Sequence, residues 1–555
     1  MNSLKPMLLT SLKSYNRTQF VKDVTAGIIV AIIALPLSIA LALASGVGPE
    51  AGIFTAIVAG FVISALGGSS VQIAGPTAAF ATIVAGIVAK DGLDGLVIST
   101  ILAGIFLILM GLCHFGSLIK FIPYTITTGF TSGIAVTIVI GQLKDFFEVT
   151  YPDGVKPIET TEKFKAFIEN ISTMNTAALI VGIVSLAILI ISPVIFKKIP
   201  GSLIAVIVGI LMVKFLPLKV STIGNLYTIS NSLPAFHLPA LNLHIIENAL
   251  PNAFTIAVLA AIESLLSCVV ADGMINGKHR SDMELVAQGA GNIASALFGG
   301  IPATGAIART AANIKNGGRT PVAGMVHSIT LVIVLVVLMP FAGMIPMPTI
   351  AAILFIVAYN MCQWRTFIHL IRTAPKSDII VLFATFILTI LFDLVVAIEI
   401  GMVLACLLFI KRMSEETHID GWTYVDDDTP DVDAHLKKLP LQIRVYEITG
   451  PLFFGAADAI EHIVVKDFTT CLVLRMRSVP AIDASAMRSL RDLAARAKKK
   501  HITLIFSHVN EQPMSVMKKD HFIELIGEEH FLPNIVEALD YAENMVADSG
   551  HKAAK

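Results

Sequence analysis

Between Val24 and about Ile410 the chain offers one apolar window of about 20 residues after another, each long enough to cross a hydrocarbon core roughly 30 Å thick. A soluble fold cannot bury so many: 55% of the 555 residues are hydrophobic, 15% are charged, and the mean hydropathy is +0.78. Spans are expected near 24–45, 50–66, 76–90, 93–113, 118–143, 175–195, 200–217, 249–272, 283–299, 305–315, 321–341, 347–361, 377–393 and 395–411. That makes fourteen, in two halves of about 24–217 and 249–411. Spans 3 and 10 are too short to cross, and their approaches are rich in Gly and Pro. A broken segment facing lipid would leave backbone N–H and C=O groups unpaired, so it is tolerated only where it is buried in protein or lines a polar cavity.

The basic residues support this layout. Lys5, Lys13, Arg17 and Lys22 precede span 1, Lys120 borders loop 4–5, Lys197 and Lys198 fill loop 6–7, and Lys278 and Arg280 fill loop 8–9. Lys315, Arg319, Arg365, Arg372, Lys376, Lys411 and Arg412 fall on the same side, which the positive-inside rule makes cytoplasmic, together with both termini. The expected location is the cytoplasmic (inner) membrane. Residues 1–23 form a polar leader without a convincing small-residue cleavage site, so span 1 is retained. Five cysteines without a CxxC pair imply neither a disulfide framework nor a zinc site.

Two stretches, LGGSSVQIAGPTAAF from Leu66 and FGGIPATGAIART from Phe298, open alike and sit in corresponding places of the two halves. One break per half is the sequence sign of a midplane binding site in an inverted-repeat carrier. A helix N-terminus acts as about half a positive charge with free N–H donors, so two half-helix starts form a cradle for an anion. Span 3 is expected to start at Pro76 and Thr77, with the Thr hydroxyl free to donate. Span 10 is expected to start at Gly305 and Ala306, small enough for a ligand to approach the backbone. Arg309 lies one turn further on; it keeps its charge, and its fork fits a carboxylate or a sulfate. The plainer alternatives are tight packing at the Gly and Pro positions and a salt bridge from Arg309 to Glu263.

Glu263 is the only acid within span 8 until Asp272 at its cytoplasmic end, and Ser267 follows it by four residues on the same face. Desolvation favours the protonated form of a carboxyl and a nearby cation favours the ionised form, so the sequence leaves the balance open. Glu263 with Ser267 is the candidate coupling pair, for protons before sodium, the alternative being a purely structural role. A dianion entering an inside-negative cell works against about 2.3 kcal/mol per charge per 100 mV, so uptake calls for co-transported cations or for exchange. No nucleophile and base pair, metal cluster or phosphate loop is visible, which argues against an enzyme and against a bound cofactor. Lys498 to Lys500 end a helix where cations suit the dipole and call for no nucleic acid.

After Met413 the composition turns polar. Residues 414–440 read as an acidic linker, and 441–550 as a small α/β domain with strands at 441–448, TCLVLRMRSV and HITLIFSHV. IDASAMRSLRDLAARAKKK reads as an amphipathic helix with Asp483 at its N-cap, and a last helix is expected at about 533–547.

GPLFFGAADAI at 450–460 and the IDAS turn at 482–485 resemble a STAS domain. IALPLSIALALASGVGPEAGIFTA at 33–56, VQIAGPTAA at 71–79, GFTSGIAV at 129–136 and ELVAQGAGNIASALFGGIPATGAIARTAANIKNGGRT at 284–320 resemble the sulfate permease (SulP) family of anion transporters. AIESLLSCVVADGMINGKHR at 261–280 is similar to bacterial proton-linked carriers of four-carbon dicarboxylates. The resemblance implies an α-helical polytopic membrane protein, a 7+7 inverted repeat with two half-helices, ending in a cytoplasmic STAS domain. It further implies a homodimer in which spans 1–4 and 8–11 form a core that slides elevator-fashion against a gate, and an anion site at Thr77, Gly305, Ala306 and Arg309. In sodium-coupled bicarbonate members an Asp and a Thr stand where this chain has Glu263 and Ser267. In the STAS family a phosphorylatable residue often follows the Asp of the turn; here Ala484 takes that place, leaving Asp483 and Ser485 as regulatory candidates and a cytosolic protein as the tail's expected partner.

Overall fold

The computed structural model describes residues 4–553 apart from 118–122, 153, 155–156, 196–199, 217, 230–231, 240–242, 393, 423–438, 456–459, 461–462 and 464–467. Lys120, Lys197 and Lys198, the start of span 5, most of the acidic linker and part of the 450–460 motif therefore lie outside the described residues. The chain divides into two compact units, Met1–Val403 and Leu404–Lys555.

All fourteen expected segments are helical among the described residues. A short α1 (Met7–Ser11) precedes α2 (Arg17–Ala44), which starts in the leader, where Asn16 caps it through the Gln19 amide at 2.8 Å. Then come α3 (Pro49–Leu66) and α4 (Ala78–Leu112). Gly92, at φ 70° and ψ −169°, breaks α4 into the half-helix of span 3 and the crossing helix of span 4. Positive φ is open to glycine without a Cβ clash, so the break falls where the sequence permits it. The first half closes with α5 (Tyr124–Phe147), α6 (Thr160–Asn170), α7 (Thr176–Ile195) and α8 (Gly201–Phe215). A single-turn α9 (Ile223–Leu226) leads toward α10 (Leu243–Ile275), α11 (Ser281–Leu297), the nine-residue α12 (Ile307–Lys315), α13 (Val322–Ala342) and α14 (Met347–Cys362). Next are α15 (Trp364–Thr373), α16 (Lys376–Leu391) and α17 (Leu394–Glu415). Among the described residues seven of these helices reach 18 residues with enough apolarity to cross a membrane on length and composition alone, and α14 reaches it when taken together with α15 as Met347–Thr373. α6 and α15 are polar or amphipathic and belong to none of the expected spans.

Packing sorts the helices into two groups. α2, α3 and α4 pack against α10, α11, α12 and α13, whereas α14 packs against α5, α7 and α8, α16 against α5, and α7 against α8, with smaller contacts from α2 and α4 joining the two groups. Close approach within the first group depends on glycines: a Cβ at Gly104 would strike the Gly289 carbonyl, and one at Gly52 the Ser38 carbonyl.

Two extended pairs of residues complete this unit, β1 (Ala74–Gly75) and β2 (Thr304–Gly305), which lie antiparallel with Ala74 opposite Gly305 and Gly75 opposite Thr304. The two breaks therefore meet, backbone to backbone.

The second unit carries a five-stranded sheet in the order β3 (His418–Trp422), β4 (Ile443–Thr449), β5 (Cys471–Ser478), β6 (Thr503–Ser507) and β7 (Phe531–Leu532). β3 and β4 are antiparallel and the remaining neighbours parallel. β3 corrects the linker reading: residues 418–422 are paired sheet, because His418 to Trp422 match the register of Thr449 to Val445. Strand alternation sends Leu472, Leu474, Leu504 and Phe506 to one face, under α18 (Ala484–Lys499), α19 (Glu511–Lys519) and α20 (Phe522–Ile526). Val445, Val473 and Ile505 face the other way, under α21 (Ile535–Ala553). Burial in this sheet pushes the Cys471 thiol up from its ordinary value.

Candidate functional site

The β1–β2 ladder fixes where the two half-helices begin. Beyond its register pairs, the Ala306 amide donates to the Ile73 carbonyl at 2.9 Å and the Ile73 amide donates to Thr310 Oγ1 at 3.0 Å. α4 and α12 thus start at opposite ends of one short ladder, from N-cap residues Thr77 and Ala306. Neither N-cap side chain bonds its own helix. The first-turn N–H groups keep their partial positive charge for another acceptor.

Two charged side chains converge on the corner formed by Pro76 and Thr77. Thr77 Oγ1 donates to Glu263 Oε2 at 2.9 Å. Arg309, 1% exposed, donates from Nη2 to the Pro76 carbonyl at 3.0 Å, and its Nε and Nη1 have no hydrogen-bond partner. Arg309 fits because residue 75 is glycine: a Cβ there would collide with Nη1. Gly305 is equally constrained, since a Cβ would collide with the Gln72 amide.

The salt bridge between Arg309 and Glu263 weighed as an alternative is not among the ion pairs of the described residues; each group holds its own partner on the 76–77 corner. Ser267 is buried and lies 3.5 Å from Thr310 Oγ1, so it supports the ladder through Thr310 and contacts α12, not Glu263. Thr77, Gly305, Ala306, Arg309 and Glu263 are one constellation, with Ser267 behind it.

Sequence reasoning missed the clamp that holds the first break. Glu284, fully buried on α11, accepts from the Gly68 amide at 2.8 Å, the Ser69 amide at 3.1 Å, Gln72 Nε2 at 2.7 Å and Gln288 Nε2 at 2.9 Å. Asn292, one turn further, exchanges bonds with both backbone groups of Ala303 at 2.8 Å. The signal was present: Glu284, Gln288 and Asn292 recur every four residues and make a polar stripe on an otherwise small and apolar helix. His327 on α13 was also missed; it is 0% exposed, neither ring nitrogen has a partner, and its Nδ1 lies 3.9 Å from where a Cβ on Gly60 of α3 would stand.

In the second unit Asp483 caps α18 as expected, accepting from the Ala486 amide at 2.9 Å and also from the Phe454 amide at 2.8 Å. Ser485 is exposed in the first turn. No group of three or more His, Cys, Asp or Glu able to hold a metal occurs among the described residues.

Comparison with known proteins follows the same division. The Sulfate permease family profile matches residues 20–385 and the STAS domain profile residues 437–538. YvdB of Bacillus subtilis, named provisionally as a sulfate transporter, is 40% identical over 94% of this chain and 97% of its own. The bicarbonate transporter BicA of Picosynechococcus sp. is 32% identical over 86% of each. Among solved structures, murine solute carrier 26 family member A9 in the inward-facing state superposes with a TM-score of 0.87 at 18% identity, covering 98% of this chain and 94% of that one, a likeness of fold. The transmembrane domain of a cyanobacterial BicA gives a TM-score of 0.61 at 28% identity over 71% of this chain and 98% of that one. These relatives are transporters and not enzymes, and the chain is a multi-pass membrane protein. It belongs to the sulfate permease family of anion transporters, with a C-terminal STAS domain.

Proposed function

We propose that the protein takes up a small divalent oxyanion, a four-carbon dicarboxylate or sulfate, coupled to protons, with the group of helices around the β1–β2 ladder sliding elevator-fashion against the other group. One observation carries this reading: Arg309 and Glu263 meet the same Pro76–Thr77 corner through different partners. The anion sits between the starts of α4 and α12, where backbone N–H groups and Arg309 receive it. While Glu263 is ionised, the Thr77 hydroxyl is spent on it. A proton on Glu263 turns the carboxyl into a donor and releases Thr77 to turn toward the anion. Anion and proton then favour each other's binding by the same factor, as linkage requires. Neutralising part of the dianion's charge also lowers the electrical cost of inward movement. The division of helices into two packed groups supplies bodies that can move past each other.

The similarity to BicA favours a second reading, bicarbonate uptake, in which the same cradle takes a monoanion. Uptake of labelled succinate, sulfate and bicarbonate into proteoliposomes, with and without an inward proton gradient, separates them. Uptake of a dianion that rises with the gradient and loses that response in Glu263→Gln is the expected result. Indifference to both gradient and residue would overturn proton coupling, and a response to sodium alone would transfer the role to that ion.

A further inference from the structure

α15 is used neither by the anion site nor by the transport reading. It joins α14 to α16 through Gln363 on one side and Ala374 and Pro375 on the other, so its ten residues, about 15 Å, are held at the ends of two membrane spans. None of its residues is buried. Its side chains divide into two stripes at helical spacing. Trp364, Phe367, Ile368 and Ile371 form one; Arg365, His369, Arg372 and, continuing into the next helix, Lys376 form the other.

The apolar stripe is anchored at one edge and open at the other. Phe367 packs on Phe383 and Phe386 of α16, at 5.9 and 5.2 Å between ring centroids. Trp364 is 42% exposed, donates from Nε1 to Tyr359 at 3.0 Å, and carries the Arg365 guanidinium over its ring. Ile368 is 38% exposed. Arg365, Arg372 and Lys376 are exposed and make no ion pair with an acidic side chain among the described residues. A short helix tethered at a bilayer surface, with an aromatic and branched apolar face beside a cationic one, has the form that lies in the interface plane with its cations at the headgroups. Aromatic rings with a polar edge suit the same layer.

We propose that α15 is an interfacial helix whose Arg365, Arg372 and Lys376 bind the headgroups of anionic phospholipids, with Trp364 and Ile368 lodged among the upper acyl chains. Charge complementarity selects this occupant: the stripe is cationic and lies level with the membrane surface, where a basic residue favours an anionic headgroup roughly 5-fold.

The test uses the full chain with Trp422→Phe, which leaves Trp364 as its one tryptophan. The protein is reconstituted in phosphatidylcholine vesicles carrying an equal mole fraction of either brominated phosphatidylglycerol or brominated phosphatidylcholine, and quenching of Trp364 fluorescence is read. The expected result is an apparent association at least about 5-fold stronger for the brominated anionic lipid, weakening as salt is added. The preference disappears in the Arg365→Gln, Arg372→Gln, Lys376→Gln variant and survives in Arg365→Lys, Arg372→Lys. Equal quenching by the two lipids in the parent protein overturns the proposal without recourse to any variant. So does absence of quenching, which would mean that protein covers this face, or a preference that persists in the glutamine variant.

Discussion

Three helix starts in this protein use the same backbone physics in two ways. At α18 the N-cap Asp483 turns its carboxylate onto the Ala486 and Phe454 amides, and the start is closed by the chain itself. At α4 and α12 the N-caps are Thr77 and Ala306, and neither closes its helix: Ala306 has no polar side chain, and Thr77 gives its hydroxyl to Glu263. The closed start gains stability from the macrodipole. The open ones keep the same favourable field unspent, which is what the proposed anion site requires. A helix N-terminus is therefore a structural device or a ligand site according to whether the neighbouring side chain already satisfies it.

The largest effect should come from removing the fixed cation at the open pair. Arg309→Gln keeps an N–H donor but loses the charge and the reach by which Nη2 meets the Pro76 carbonyl. With charge-assisted hydrogen bonds worth roughly 1.5–3 kcal/mol, KM for a transported dianion should rise roughly 10- to 150-fold. Arg309→Lys should fall between, since the ammonium lacks the fork. Proteoliposome uptake across a range of substrate concentrations checks this, and an unchanged KM would reduce Arg309 to a packing role.

Thr77→Val tests the exchange between Glu263 and the anion. The shape is retained and the donor lost, so Glu263 stands without its partner and the anion without the hydroxyl. KM should rise about 10-fold, in line with roughly 1–3 kcal/mol for an unmet buried group, while Thr77→Ser should stay near the parent. If valine and serine behave alike, Thr77 is not the link between anion and proton.

Much of this comparison is legible in the sequence, for reasons that differ by element. The fourteen segments follow from hydropathy and loop charge, because the bilayer imposes one length on every crossing. The starts of α4 and α12 follow from Gly and Pro, since a break in an apolar run has few permitted causes, and the Asp483 cap follows from local spacing. Contacts across long sequence separations did not show: 216 residues separate Gly68 from the Glu284 that clamps it. Ser267 was placed on the face of Glu263 by helical spacing alone, yet its polar partner is Thr310, a contact set by the packing of α12 on α10 that no spacing within α10 encodes. β3 escaped notice because five residues inside an acidic stretch carry no alternation, and only β4 gives them a register.

At the closed start the effect should be smaller and of another kind. Asp483→Ala removes an N-cap, which costs about 1 kcal/mol, and also strands the Phe454 amide. Hydrogen exchange at the Ala486 and Phe454 amides should accelerate roughly 5-fold or more, while KM for the anion stays within about 2-fold of the parent. A change in KM of the size expected for Arg309→Gln would show that the tail's helix start governs the membrane site.

The smallest effect is expected at Ser485, and it isolates the principle most cleanly. Ser485 is exposed in the first turn of α18, where an added carboxylate gains roughly 0.3–1 kcal/mol from an open helix dipole. This start is not open. Asp483, two residues before, already occupies the Ala486 amide, so a carboxylate at 485 meets a screened dipole and a like charge together. The two contributions oppose each other, and Ser485→Asp should change the melting of the tail by less than about 0.5 kcal/mol, as for ordinary surface substitutions. In the Asp483→Ala background the like charge is gone and the amides are free, so the same substitution should stabilise by the full dipole value. Thermal unfolding of the parent, both single variants and the double variant gives the coupling directly. A Ser485→Asp effect that is equal in both backgrounds would mean that Asp483 does not close the start, and the contrast between closed and open helix starts would then rest on Thr77 and Ala306 alone.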